Sequence, residues 1–406
     1  MAARAPVAPA RRAAYKVVLR VFEEDAYADR AFVGAAAGLD ARDRALAQQI
    51  AYGTVQRVRA LDHGIETLGR RPVRKLDPPV RAALRLGAYQ LAYLDGVAVH
   101  AAVNESVELV RTARLERAVP FTNAVMRRLS DGLRELLEAL PEGPLKHSYP
   151  DWIYETWRRD WGDDEALALM RAQNEAPETV VRLVRGEIDG EPTDVLGAYR
   201  VARVDEQALA EGRIWPQSRG SQLAGLAVGS RPGERILDLC AAPGGKATML
   251  AGDVTAVEVH EGRARELEEN ARRLRAENVR VVNADALALP AGLEGFDRAL
   301  VDAPCSGLGV LAGRPDLRWR ARPLPELQLA LLRAAAERVK PGGVVLYSVC
   351  TLNADENEAV VDASGLEVDD LGAEWPAFRH PRRPELLLAT PHLHRTSGFF
   401  IARLRV

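Results

Sequence analysis

Lysine is nearly missing from this sequence: five Lys stand against 50 Arg among its 406 residues. Cysteine is scarcer still. Three residues, Cys240, Cys305 and Cys350, exclude a disulfide framework and fit a reducing cytosol. They lack the paired CxxC spacing of a zinc site, so no metal is expected. No apolar run approaches the ~20 residues that span a membrane. Residues 1–14 lack the apolar centre of a signal peptide, and their Arg-bearing, acid-free composition reads as a frayed leader before a first helix. Internal repeats and low-complexity stretches are absent. With apolar content of 47% and charged content of 28%, the chain reads as globular, and its length suggests two or three domains.

Net charge is small but unevenly placed. Residues 1–146 carry 23 Lys+Arg against 17 Asp+Glu, whereas the rest carries 32 against 40. A basic front joined to an acidic rear suggests that the front meets a polyanion, although a basic face is often only solvated.

Strand-like alternation is absent from residue 11 to about 140. Ala14, Val17, Val18, Val21 and Phe22 recur at helical spacing, as do Leu46, Ile50, Val55 and Val58, and later Leu84, Leu86, Tyr89 and Leu91. Breakers at Gly34, Gly38, Asp77-Pro78-Pro79 and Gly96 divide this into six or seven helices. Pro141-Glu142-Gly143-Pro144 marks a boundary. Beyond it, helices carrying Trp152, Trp157 and Trp161 precede strands expected at 179–184 and 197–204. From Gly212 the pattern is βα alternation, with strands expected at 235–240, 253–259, 278–284, 296–302 and 343–349. Helices are expected at 261–276 and 325–339. Regular alternation predicts a doubly wound, mostly parallel sheet, closed by an antiparallel strand near 398–404 at its edge.

The first strand of that sheet stops at Cys240-Ala241-Ala242-Pro243-Gly244-Gly245-Lys246. This is neither a GxGxxG fingerprint nor a phosphate-binding P-loop, because the spacing fails and Ala247 follows the Lys. Glycines let backbone approach a ligand, and proline stiffens the turn. In so Arg-rich a chain, a Lys closing the loop suits a compact ammonium role. Glu258, 18 positions past Cys240, stands where a ribose hydroxyl pair is held in such folds. Asp285 follows the third strand, where an adenine amino group would be met. Either acid alone is more often a loop cap. Three strand ends in register favour a nucleoside, and the missing phosphate signature favours S-adenosyl-L-methionine over a dinucleotide.

Asp302-Ala303-Pro304-Cys305-Ser306-Gly307 ends the fourth strand, and Tyr347-Ser348-Val349-Cys350-Thr351 ends the fifth. A lone Cys after a strand is usually a small buried apolar residue. Two thiols converging with a carboxylate beside a methyl donor carry more. Carbon 5 of a pyrimidine becomes nucleophilic once a thiolate adds to C6, and a second group must then release the product. Spacing does not choose between the two thiols.

These motifs, with the following Thr351-Leu352-Asn353-Ala354-Asp355-Glu356-Asn357-Glu358, resemble the cytosine-C5 RNA methyltransferases of the NOL/NOP/Sun group. The helical front, through Arg42-Asp43-Arg44-Ala45-Leu46 and Pro120-Phe121-Thr122-Asn123-Ala124, resembles a NusB-type RNA-binding domain. The pairing resembles bacterial enzymes of the RsmB/Sun type, which act on small-subunit rRNA, over essentially the whole chain. The resemblance implies an all-α NusB-like domain over 1–142, a small α+β linker over 143–212, and a Rossmann-like class I methyltransferase domain with a seven-stranded sheet over 213–406. It makes Cys350 the nucleophile, Cys305 the residue assisting release, and Asp302 the group on the base edge near the cofactor. DNA enzymes that use a Pro-Cys at the fourth strand would favour Cys305 instead. Residues Cys240 to Lys246, Glu258, Asp285 and Asp302 would bind S-adenosyl-L-methionine. A cytoplasmic monomer is expected.

The chain departs from the family pattern in places. Glu258 replaces the usual Asp, and Val349 the usual Thr. Ala312-Gly313 replace a common Arg pair, leaving Arg314, Arg318 and Arg320 as substitute RNA contacts. Gln217-Ser218-Arg219-Gly220 adds positive charge before the first strand. Arg57, Arg59, Arg70, Arg71, Arg74, Lys75, Arg127 and Arg128 are further phosphate candidates, each individually more often a solvated face. The tryptophans are expected to pack between domains. Two alternatives stand beside rRNA methylation: a tRNA substrate, or a catalytically silent RNA-binding assembly factor.

Overall fold

A computed structural model describes residues 7–406. The leader expected over 1–14 lies outside these residues as far as residue 6, and a helix already begins at Pro9. The chain forms two compact units. One holds the described residues up to Asn174 together with Gly313–Arg320; the other holds Glu175–Ala312 and Ala321–Val406.

The first unit is all helical. Its main helices are Pro9–Glu23, Ala28–Ala35, Ala41–Gln56, Val58–Gly69, Pro78–Tyr93, Val99–Thr112 and Val119–Glu138. Proline at the first turn starts several of them, where a missing N–H does no harm. The Asp40 carboxylate caps Ala41–Gln56 by accepting from Asp43 N at 2.8 Å. Pro78–Tyr93 is central, buried almost continuously from Ala82 to Gln90. Helices Asp151–Trp161 and Asp163–Ala172, from the stretch expected as an α+β linker, belong to this unit, whereas the strands of that stretch belong to the other. Trp157 is fully buried 5.6 Å from Tyr149, so it packs within the helical unit rather than between domains.

Gly313–Arg320 brings a correction. Arg318, expected as an RNA contact, is completely buried in the helical unit. Its guanidinium lies 3.9 Å from the Tyr149 ring and donates to Gln173 O and Asn174 Oδ1, both at 2.8 Å. Burial lowers its pKa to about 10, so it stays charged near neutrality. Arg320 donates to Asp25 O at 2.8 Å and lies over Tyr27, and Arg314 lies over the same ring. Arg318 and Arg320 are committed to structure, because carbonyls and aromatic faces take the place of water around them, whereas Arg314 stays partly exposed.

The second unit carries two sheets. A four-stranded antiparallel one runs in the order Glu191–Pro192, Ala198–Arg200, Val180–Leu183, Ile214–Pro216. The larger, eight-stranded sheet has a doubly wound core. Its order is Glu367–Asp369, Phe399–Arg405, Val339–Val349, Phe296–Asp302, Arg235–Asp238, Asp253–Glu258, Val279–Asn283, and Leu387–Ala389 also pairs with Phe399–Arg405. The last five strands on that path are parallel; the other three pair antiparallel. The C-terminal strand is antiparallel as expected, yet it is not at the edge. Phe399 to Ala402 are all buried, and the two three-residue strands cover its outer side. Such short strands leave no periodic signal, so the alternation pattern shows six strands and the resemblance implies seven, where the sheet has eight.

From Arg235–Asp238 the chain steps outward through Asp253–Glu258 to Val279–Asn283, then returns to the other flank at Phe296–Asp302. That reversal opens a crevice at the carboxyl ends of Arg235–Asp238 and Phe296–Asp302.

Candidate active site

The loop after Arg235–Asp238 lies in this crevice. Gly244 has φ +105°, a left-handed conformation that favours glycine, and a Cβ there would come within 2.6 Å of Leu267. The loop is strapped from three directions. Arg182, in the middle of the small sheet, donates to Gly245 O and Thr248 Oγ1, both at 2.8 Å. Arg263 donates to Ala242 O at 2.8 Å, and Asn270 to Pro243 O at 2.9 Å. Arg182 is buried, and desolvation lowers its pKa to about 10. The loop is therefore preorganised by side chains from outside it.

Lys246 is buried and its Nζ lies 2.7 Å from Asp302 Oδ2. Ser348 donates to the other oxygen of Asp302 at 2.8 Å. Below them, Asp238 is fully enclosed. Burial, and then the charge of Asp302, push its pKa up to about 7, with Lys246 opposing. Burial, and next Asp238, also raise the Cys240 thiol, which suits a packed sulfur better than a reactive one.

Glu258 is buried and accepts from His260 N at 2.9 Å, with Arg263 at 3.6 Å from its carboxylate. Asp285 is exposed, two residues past the Asn283 that pairs with Glu258, and caps the N–H of Leu287 at 2.9 Å. Val259 and Leu287, beside the two acids, are exposed apolar residues at strand ends.

Asp302 pairs with Ser348 in the sheet, so the segments beyond both strands run on together. Cys305 Sγ and Cys350 Sγ meet at 3.4 Å, and both residues are half-buried. The hydrogen bond to Cys350, then burial, then the charges of Cys350 and Glu356, hold the Cys305 thiol well above the usual thiol range. Gly309 N donates to Cys350 O at 2.9 Å, and Gly398 N to Gly309 O at 2.7 Å. A Cβ on Gly309 would lie 2.3 Å from Gly398 O, so the turn carrying Cys305 presses backbone to backbone on the residue before the last strand.

Of the residues singled out from sequence, Lys246, Asp302, Cys305 and Cys350 are thus linked through strand pairing and direct contacts, while Glu258 and Asp285 mark two other strand ends. Sequence reasoning missed Asp238, Arg182, Ser348 and Glu356. Arg182 had a signal, a charge interrupting the apolar strand Val180–Leu183. The positive charge expected from Arg219 is neutralised: Glu178 at 3.0 Å and Asp194 at 2.7 Å bracket its buried guanidinium.

In the helical unit, Arg59 is paired with Asp151 at 2.8 Å, and Arg57 lies over Tyr93. Arg128 touches Leu68 O at 3.3 Å from an exposed position. A hollow lined by Arg71, Lys75, Arg114 and Arg117, against Asp77 and Glu116, with Phe121 beside them, is net basic and is a further polyanion candidate. Among the described residues no helix is long and apolar enough to cross a membrane.

Known proteins resemble the chain over both units. The family described as 16S rRNA methyltransferase RsmB/F matches residues 226–405, and the NusB family matches residues 8–131. A probable ribosomal RNA small subunit methyltransferase B of Synechocystis sp. is 33% identical, over 98% of this chain and 99% of its own. The ribosomal RNA small subunit methyltransferase B of Thermus thermophilus is 38% identical over 89% of this chain and 85% of its own. Among solved structures, that of PH0851 has the same fold, with a TM-score of 0.82 and 24% identity over 100% of both chains.

Proposed function

The chain belongs to the RsmB/F family of 16S rRNA methyltransferases, with a NusB-family domain in front, and on that premise we propose that it methylates carbon 5 of a cytosine in small-subunit rRNA. The cofactor is S-adenosyl-L-methionine. The residues fit it: a strapped glycine loop from Cys240 to Lys246, a carboxylate at Glu258 for the ribose, Asp285 for the adenine amino group, and exposed apolar side chains beside both acids. When bound, the cofactor supplies an electrophilic methyl group.

The chain's own residues make the base able to accept it. The Cys350 thiolate adds to C6 of the cytosine, giving C5 enamine character. Asp302 holds the N3/N4 edge of the ring, its orientation fixed by Lys246 and Ser348. Cys305 assists loss of the C5 proton, after which Cys350 leaves. The target base must be single-stranded or flipped out of its stack to reach these groups. The observation that carries this reading is the 3.4 Å contact of two thiols beside the Lys246–Asp302 pair. A catalytically silent assembly factor would have no use for two touching thiols.

We assign RNA binding to residues 1–142 and methyl transfer to residues 213–406, with the helices of 143–212 as far as Ala172 extending the first unit and the strands of that stretch the second, in a cytoplasmic monomer. The test is transfer from labelled S-adenosyl-L-methionine to deproteinised small-subunit rRNA and to tRNA, with bisulfite mapping of the product. Transfer to tRNA alone would replace the substrate, and no transfer with no cofactor binding would remove the enzyme reading.

A further inference from the structure

Glu356, six residues past Cys350, is fully buried, and its carboxylate accepts six hydrogen bonds. Oε1 accepts from Ser306 N and Gln328 Nε2, both at 2.9 Å, and from Leu324 N at 3.1 Å. Oε2 accepts from the Ser306 hydroxyl, from Thr351 Oγ1 at 3.3 Å and from Asn353 Nδ2 at 3.4 Å. Ser306 follows Cys305 and Thr351 follows Cys350, and their hydroxyls meet at 2.8 Å. Gln328 also donates to Pro304 O at 2.9 Å, immediately before Cys305. Tyr347, three residues before Cys350, donates its hydroxyl to Glu356 O at 2.6 Å. Both cysteine turns are therefore tied to Glu356: the residue after each sulfur bonds its carboxylate, Gln328 links Pro304 to the same carboxylate, and Tyr347 bonds its backbone carbonyl.

Six donors converging on a group with no proton to offer suit a carboxylate and little else. A buried anion in so many bonds also has a reach beyond its own contacts, because the surrounding dielectric is low. We propose that Glu356 is a positioning residue for both thiols: its carboxylate locks the turns of Cys305 and Cys350 at sulfur contact. The ionisable groups facing Cys305 are Cys350, Glu356 and Tyr347, with Asp302 near by; Cys350 and Glu356 both disfavour its thiolate. The inference rests on the reading of Cys350 as nucleophile only for its catalytic consequence. The thiol behaviour itself is independent of it.

Glu356→Gln keeps the size of the side chain. Its amide oxygen can retain the three N–H donors, while its NH2 faces the hydroxyls of Ser306 and Thr351, which are able to accept, and gives up the long contact with Asn353 Nδ2. Iodoacetamide labelling of the RNA-free full chain, read per cysteine by peptide mass spectrometry across pH, is the test. In Glu356→Gln, labelling of Cys305 is expected to move to lower pH, because one of the charges that disfavour its thiolate is gone. Binding of S-adenosylhomocysteine should be retained, and kcat for rRNA should fall ~10–100-fold with KM for RNA little changed. An unchanged Cys305 profile with unchanged kcat, in a protein that still binds S-adenosylhomocysteine, overturns the proposal.

Should Glu356→Gln fail to fold, Thr351→Val removes the Cys350-side hydroxyl and leaves the anion. It should speed Cys350 labelling and lower kcat, and no change in either overturns the lock. Failure of the methyltransferase reading is distinguishable, since it appears as no transfer by the unsubstituted protein whatever the labelling profiles.

Discussion

Lys246 Nζ and Asp302 Oδ2 are 2.7 Å apart across the crevice, one from the glycine loop and one from the end of Phe296–Asp302. The pair joins the cofactor side of the proposed site to its base side. Lys246→Met removes the cation and leaves Asp302 beside the buried Asp238. S-adenosylhomocysteine affinity, measured by calorimetry, should fall about tenfold, or ~1.4 kcal/mol. The loss in kcat should be larger, because Asp302 is no longer held for the base.

The two thiols are separable by trapping. Cys350→Ala should abolish turnover, by on the order of 10⁴ or more, and should give no covalent RNA adduct. Cys305→Ala should accumulate an adduct stable to denaturing gel electrophoresis, because addition proceeds and release is slowed. Reversed phenotypes would exchange the two roles.

Arg182 reaches the loop from a different sheet, so its loss tests whether the loop needs outside support. Arg182→Ala removes two charge-assisted hydrogen bonds, each worth roughly 1.5–3 kcal/mol, though relaxation returns part of this. Cofactor affinity should drop at least tenfold (~1.4 kcal/mol), while iodoacetamide labelling of Cys305 and Cys350 stays near that of the unsubstituted chain. Equal loosening of the cysteines would mean general unfolding of the unit instead.

Asp238 makes a pH prediction. Folding raises its pKa from 3.8 to about 7, so between those values the folded protein keeps a proton that the unfolded chain has released. The stabilisation from this group is full below the unfolded value, falls as pH rises toward about 7, and is flat above. The total is on the order of 2–4 kcal/mol. Asp238→Asn should flatten the pH dependence of the denaturant midpoint between about pH 4 and about pH 7, the window set by those two pKa values. An unaltered slope would place the proton elsewhere.

The basic hollow in the helical unit makes a salt prediction. Replacing Arg71, Lys75, Arg114 or Arg117 with Gln should weaken rRNA binding and reduce the slope of log K against log salt by ~0.7–1 for each lost phosphate contact. Arg318→Gln should instead destabilise the fold, since buried acceptors lose their donor. An unchanged slope in all four variants would clear the hollow of any part in RNA binding.

Much of this was legible in the sequence because it is local. A strand ending in a glycine loop, acids at strand ends, and Cys305 and Cys350 at fixed distances past two strands all survive translation into one dimension. The arginines were not legible. Arg71, Arg219 and Arg318 look alike in sequence, and only neighbours far along the chain decide which is exposed, which is neutralised and which is buried. Glu356 was visible as a motif letter, but its role needs Ser306, some fifty residues earlier, to be in contact. The C-terminal strand was visible too. Its central position was not, because two three-residue partners decide it.

The slot beside Tyr149 is filled by an arginine 144 positions after the Asn174 that receives it. During synthesis that slot stays unfilled until residue 318 has left the ribosome. A gene fragment stopping at residue 174 would encode a helical piece with an open core. The two units are accordingly poor candidates for exchange by recombination: a helical unit transplanted onto another methyltransferase would need eight residues from the middle of its new host to match.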